Sequence, residues 1–239
     1  MSSTASSLTF ARVPVALAGA VLVLTGCVSQ SSHGTLLHQD DFVSGLANWH
    51  IEAEKPGRIS ALNGVLDIDV PAGVTLWFKS RLEGPIVIEF EATAVAEGGP
   101  NDQVSDLNVF WMANNADGRQ PVFAHERSGA FAGYNDLRTY YVGLGGNRNT
   151  TTRFRRYIGD PVMRPLLPEH DRSAVSALLV PNRAQTITLI ADGSQVEFRR
   201  DGERLFQLED PAPYMNGWFG LRTTFSHLRI RRLRIYSGR

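Results

Sequence analysis

Residues 185–208 read QTITLIADGSQVEFRRDGERLFQL, and the periodicity of this stretch decides the fold. Ile187 and Leu189, then Val196 and Phe198, stand two residues apart, each pair across a polar residue, and 204–208 follows as a third short run. A period of two sends successive side chains to opposite faces of a strand. The interruptions are Asp192-Gly193 and Asp201-Gly202, dipeptides suited to the positive φ of tight hairpin turns. Three strands joined by two such turns make an antiparallel meander.

The same grammar extends outward in both directions. Residues 58–70 contain Asn63-Gly64, which predicts another two-residue hairpin. Further strands are expected over 75–80, 85–95, 105–113, 139–145, 151–157, 217–224 and 228–236. Residues 97–102, 114–137 and 160–176 read as loops, the second long enough to be a functional lid. No helical period is visible, and no sequence repeat supports a propeller. About eleven or twelve strands without crossover helices imply an all-β antiparallel β-sandwich, of the concanavalin A-like jelly-roll type.

The N-terminal stretch follows other rules. Arg12 precedes an apolar run over 13–24, short of the roughly 20 residues that span a bilayer. The run ends in Leu24-Thr25-Gly26-Cys27, which resembles a bacterial lipobox. That resemblance implies removal of residues 1–26 as a signal peptide and acylation of Cys27. Residues 27–35 then form a lipidated tether, and 36–239 a single domain in the cell envelope. Cys27 is the only cysteine, so disulfides and thiolate chemistry are excluded. With 24 basic and 24 acidic residues the chain has no global field for nucleic acid, and membrane contact is expected through the lipid alone.

Three stretches carry a second resemblance: SDLNVFWM at 105–112, YYVGLGGN at 140–147 and NTTTRFRRY at 149–157. Together they are similar to a bacterial family of concanavalin-like, lectin-like jelly rolls linked to polysaccharide degradation. The resemblance implies a sandwich that handles glycans, and it runs from Asp40-Asp41-Phe42 to the C-terminus. The chain lacks the Glu-x-Asp-x-x-Glu strand of retaining glucanases with this fold, and the Gln-x-His motif of the common alginate lyases.

Alternation sorts the signature strands into faces. Leu107, Val109, Trp111, Tyr140, Val142, Leu144 and Phe154 form the core set. The opposite, open face is expected to collect Trp77, Asp106, Asn108, Tyr141, Arg153, Arg155, Tyr157 and Arg222, with Gly143 and Gly145 leaving room for another molecule. Asn147 sits in the adjoining turn.

Three functions fit this set. A polysaccharide lyase acting on an acidic glycan would use Arg153, Arg155 and Asn108 to neutralise a uronate carboxylate. Tyr141 would act as general acid or base, its anion favoured by the arginines. Trp77, Asp106, Asn147, Tyr157 and Arg222 would bind substrate. A glycoside hydrolase would need two carboxylates, with Asp106 and one of Glu89, Glu91, Glu126 or Asp136 as candidates. A non-catalytic glycan-binding protein would need only aromatic and polar contacts. Asp40 and Asp41 are either calcium ligands or turn-forming acids; no other metal or cofactor is called for. His125, His170 and His227 read mainly as surface residues. Arg229, Arg231, Arg232 and Arg234 read as protective charges on an edge strand.

Overall fold

The computed structural model describes Met1 and residues 34–238; the expected signal segment, Cys27 and most of the tether lie outside the described residues. The described strands, in chain order, begin with β1 (Leu36–Asp40), β2 (Trp49–Ala53), β3 (Arg58–Leu62), β4 (Val65–Val70), β5 (Val74–Phe78) and β6 (Leu82–Glu83). They continue with β7 (Ile86–Ala94), β8 (Leu107–Asn115), β9 (Leu137–Gly145), β10 (Thr151–Ile158) and β11 (Asp171–Arg172). The last are β12 (Gln185–Asp192), β13 (Gln195–Arg200), β14 (Glu203–Glu209), β15 (Asn216–Thr223) and β16 (Ser226–Ser237).

Two antiparallel sheets face each other. One runs β14-β13-β12-β7-β16-β4-β3, with β1 also paired to β16; the other runs β11-β10-β9-β8-β15-β5-β2, with β6 on β15. The expected sandwich is what forms. The hairpin residues behave as their chemistry demands: Asn63 and Gly64 both have positive φ, as do Asp201 and Gly202. The alternation did not reveal β1, β2, β6 and β11. The two-residue strands are too short to show a period, and β2 buries a carboxylate, Glu52, while exposing Ile51.

The core between the sheets takes the side chains that alternation assigned to it. Leu107, Val109, Trp111, Tyr140, Val142, Leu144 and Phe154 meet Leu66, Ile68, Phe90 and Phe198 from the facing sheet. A bulge in β8 near Met112 lets both Trp111 and Met112 join that core. A second apolar cluster lies on the other side of the β8–β9–β15 sheet. Trp77, Phe110, Tyr141, Tyr157 and Trp218 are covered there by Val122 and Tyr134. The covering side chains belong to residues 116–136, a strap across the concave face that includes two short 3-10 turns.

One expectation is corrected by the topology. β16 is not an edge strand, because it lies between β7 and β4. Its arginines form ion pairs: Arg229 with Asp67 and Glu97, Arg232 with Glu91, and Arg234 with Asp41. At Asp40 and Asp41 the turn-forming reading describes the contacts made. Asp40 accepts hydrogen bonds from the Phe42 amide and Trp49 Nε1, while Asp41 is held by Arg234, so their oxygens are engaged internally. Among the described residues no three His, Cys, Asp or Glu side chains gather as a metal site.

Candidate functional site

Strand register lays out the concave face as rows. One row runs Arg153, Gly143, Asn108, Arg222, Thr75 and Glu52 across β10, β9, β8, β15, β5 and β2. The next runs Arg155, Tyr141, Phe110, Gly220, Trp77 and His50. These rows explain why residues far apart in sequence share one surface.

A cavity of about 640 Å³ opens on the β8–β10 part of this surface. Asp106, Asn108, Tyr141, Asn147, Arg153, Arg155, Tyr157 and Arg222 all line it, so eight of the nine residues expected at the site come together. Trp77 does not. It is on the expected face, but it is wholly buried under the strap, with its indole Nε1 donating to Glu52 Oε2 at 3.0 Å. Its ring packs against Phe110 and Tyr134. The expectation of an exposed stacking platform at Trp77 is therefore overturned. Phe131, Arg148, Arg164 and Phe225, which the strand periods did not mark, also line it. All four lie in connections, where no period marks the direction of a side chain; Arg148 alone had a signal, its place inside the signature turn.

Gly143 makes the floor. A Cβ there would sit 2.7 Å from the Tyr141 hydroxyl and 3.0 Å from Asn108 Oδ1, so the missing side chain lets the phenol lean into the row beside the amide. Arg153 and Arg155 are both tethered to Asp171 on β11, at 2.8 and 3.5 Å. Arg153 remains half exposed at the rim, whereas Arg155 is largely enclosed. At the opposite wall Phe131 stands against both Tyr141 and Arg222.

The electrostatics are unusual for a surface pocket. Among the described residues five arginines line it, and Asp106 is the only carboxylate that does. Burial raises the Asp106 carboxyl above the usual aspartate range, although hydrogen bonds from Ser105 and Asn108 and the charge of Arg222 act against this. Burial also raises the Tyr141 phenol, with Tyr157 and Asp106 adding to the effect and Arg222 and Arg155 offsetting only part of it. The expected arginine-stabilised tyrosinate is thus corrected: desolvation outweighs the cations and keeps the phenol protonated. Arg222 Nη1 donates to Thr75 Oγ1 and to the Gly129 carbonyl, and its Nε has no partner. Asn108 Oδ1 is likewise buried without a partner.

One rim is conformationally strained. Asn147, Arg148 and Asn149 form three consecutive left-handed residues, with φ of 54°, 56° and 58°. Each costs roughly 1–2 kcal/mol relative to the right-handed form, less for Asn. Asn149 holds the turn by a two-way amide clamp on the Leu179 backbone, both bonds being 2.9 Å. The turn presents Asn147 and Arg148 to the cavity mouth.

The histidines lie elsewhere. His125 pairs with Asp117 at the surface. His170 and His227 are buried, contrary to the surface reading: His170 packs against Phe154 and Phe206, and His227 bridges Asp102 and Asp67. Neither Glu89, Glu91, Glu126 nor Asp136 lines the cavity, so no second carboxylate faces Asp106 among the described residues.

Residues 68–233 match the family described as a domain of unknown function, DUF6250. The chain belongs to the DUF6250 family. A search of the curated proteins gives no match for this DUF6250 chain. Solved structures share its fold at low identity. A galectin-like protein of unknown function from Bacillus subtilis is 15% identical with a TM-score of 0.67, over 86% of this chain and 97% of that one. The carbohydrate binding module CBM66 from Bacillus subtilis is 9% identical with a TM-score of 0.54, over 80% and 97%. LamA from Z. galactanivorans, in complex with laminaritriose and laminaritetraose, is 12% identical with a TM-score of 0.54, over 86% and 100%. At these identities the likeness establishes the sandwich, and the chemistry rests on the DUF6250 pocket itself.

Proposed function

We propose that this protein is a polysaccharide lyase that cleaves a uronic-acid glycan by β-elimination. The observation that carries the proposal is the composition of one cavity: Asn108, Tyr141, Arg155 and Arg222 share it with a single carboxylate. The glycan-handling folds of CBM66 and LamA agree with a carbohydrate ligand. A pair of carboxylates, which a hydrolase of the usual kind requires, is not part of the lining among the described residues.

In the proposed reaction Arg155 holds the uronate carboxylate and draws charge from the adjacent ring carbon, while Asn108 accepts a hydrogen bond from a sugar hydroxyl at its free Oδ1. Asp106, whose carboxyl is raised by burial, accepts the C5 proton. The C4–O bond breaks, a C4–C5 double bond forms, and Tyr141 gives its proton to the departing oxygen. Burial keeps that phenol protonated beforehand, and Arg222 and Arg155 offset part of the charge left after donation. Acylation of Cys27 would place the domain in the cell envelope, within reach of polymeric substrate.

The purified protein should release products absorbing in the ultraviolet from at least one acidic polysaccharide and from no neutral one. Tyr141→Phe keeps the ring and removes the donated proton, and should lower turnover about 10²- to 10⁴-fold with little change in binding. Reducing ends released without ultraviolet absorbance would defeat the elimination reading. Binding of an acidic glycan without cleavage would leave the third reading, a binding protein.

A further inference from the structure

The cavity is closed at one end. Its lining reaches from β10 across β9 and β8 to Arg222 on β15, and no residue of β5 or β2 belongs to it. In a sandwich sheet of this curvature the concave face could continue as an open trough over those two strands. Here it does not, because the strap fills that part. Gly129 packs so tightly on β2 that a Cβ would lie 2.6 Å from the Glu54 amide nitrogen. Tyr134 donates to the buried Glu52 at 2.7 Å, and Arg222 donates to the Gly129 carbonyl at 2.6 Å. Thr75, the next residue of the row, is fully buried. Phe131 rises over the guanidinium of Arg222 as the end wall, its ring centre 5.2 Å away. Away from that wall the lining includes Arg148, which is exposed, and Arg153, whose side chain is 44% exposed.

Arg222 at the closed end is itself incomplete. It is only 3% exposed, yet its hydrogen bonds go to a neutral hydroxyl and a neutral carbonyl. Glu54 and Asp106 act on it through space without forming an ion pair among the described residues, and its Nε–H has no partner. A buried guanidinium in that state calls for an anion, and the cavity is the side from which one can arrive.

We infer that the pocket receives one end of an acidic glycan chain, with Arg222 taking the carboxylate of the terminal residue, and does not accept an internal stretch. The inference rests on the acidic-glycan reading given above and adds the mode of attack: the chain enters past Arg148 and Arg153 and stops against Phe131. Cleavage is then exolytic, releasing a short product of fixed size from every chain.

The test uses binding stoichiometry. The Tyr141→Phe protein is titrated calorimetrically with length-fractionated oligomers of polygalacturonate, alginate and hyaluronate, from dimers to chains of several tens of residues. End recognition gives one protein per chain at every length. Recognition of internal residues gives a number that climbs with length, and that result overturns the inference while leaving the acidic-glycan reading intact. If no oligomer of any length binds, that reading falls and the inference falls with it. Arg222→Gln should weaken binding at least tenfold at all lengths, and unchanged affinity in that variant would also overturn the inference. Should Arg222→Gln fail to fold, the stoichiometry still decides, because it is measured with Arg222 in place.

Discussion

Trp77→Ala separates a buried strut from a sugar platform, and the structure fixes the expected size of the effect. The side chain is fully buried, its ring centre lies 5.5 Å from that of Phe110 and 6.2 Å from that of Tyr134, and its Nε1 donates to Glu52. Truncating a buried Trp to Ala costs about 3–5 kcal/mol. For a domain of 150–250 residues each kcal/mol moves the midpoint by roughly 2–4 °C, so Tm should fall by about 6–20 °C. Trp77→Phe isolates the polar part. It retains most of the packing but deprives Glu52 of one donor, a loss of about 1.5–3 kcal/mol for a bond to a carboxylate, or roughly 3–12 °C. Differential scanning calorimetry measures both midpoints, and titration with an acidic oligosaccharide well below them measures binding. Because the indole does not line the cavity, Trp77→Phe should retain affinity within a few-fold. A Trp77→Ala protein with an unchanged midpoint and lost binding would refute the burial argument and return Trp77 to the site.

The remaining expectations concern the anchor, the arginine fork and the buried carboxyl. Cys27→Ser should move the protein from the membrane fraction of its host to the soluble fraction, or leave it unprocessed; a wild-type protein that is already soluble and unacylated contradicts this. Arg155→Lys keeps the charge but loses the planar two-point contact with carboxylate, so kcat/KM on an acidic glycan should drop at least tenfold, whereas full activity would remove Arg155 from the reaction. Asp106 has a folded-state pKa raised by burial, so its ionisation opposes folding: the cost is present above that pKa, is relieved as pH falls through it, and disappears below the ordinary aspartate value near 3.9. Asp106→Asn should therefore melt above wild type near neutral pH and match it at about pH 3, and a variant less stable at neutral pH than at acid pH, relative to wild type, would reverse the sign.

Faces were legible in the sequence and exposure was not, for a definite reason. Alternation assigned Tyr141, Arg155 and Arg222 to one side and Tyr140, Val142 and Phe154 to the other, because a strand has only two directions to offer. That Tyr141 and Arg155 would be neighbours required the register between β9 and β10, which the tight signature turn implies. That Trp77 would be covered required knowing where residues 116–136 cross the sheet, and such a segment carries no period to read. The tether of Arg153 and Arg155 was hidden for a related reason: Asp171 follows a proline-rich connection and reaches β10 through a two-residue strand. The pull of the arginines on Tyr141 was judged by proximity, whereas its direction was decided by burial, a property of the finished fold.

The pocket combines features that are costly on their own. Arg222 is a buried cation facing neutral acceptors, and Asn108 Oδ1 is a buried acceptor facing none. The left-handed turn at Asn147–Asn149 adds strain at the mouth. Arg222 also pins the strap through the Gly129 carbonyl, but the core supplies no partner for its Nε or for Asn108 Oδ1. Their coexistence in one cavity is coherent if the missing partners come from outside: a carboxylate for Arg222 and a sugar hydroxyl for Asn108. The same logic sets selectivity. A neutral glycan of equal shape would fill the cavity while leaving the guanidinium unpaired and now cut off from water. Sites built around a required polar partner reject analogues lacking it by on the order of 10⁴–10⁵. Discrimination between acidic and neutral chains should therefore far exceed discrimination between two uronates of different stereochemistry, which differ in where their hydroxyls point and not in whether Arg222 finds its anion.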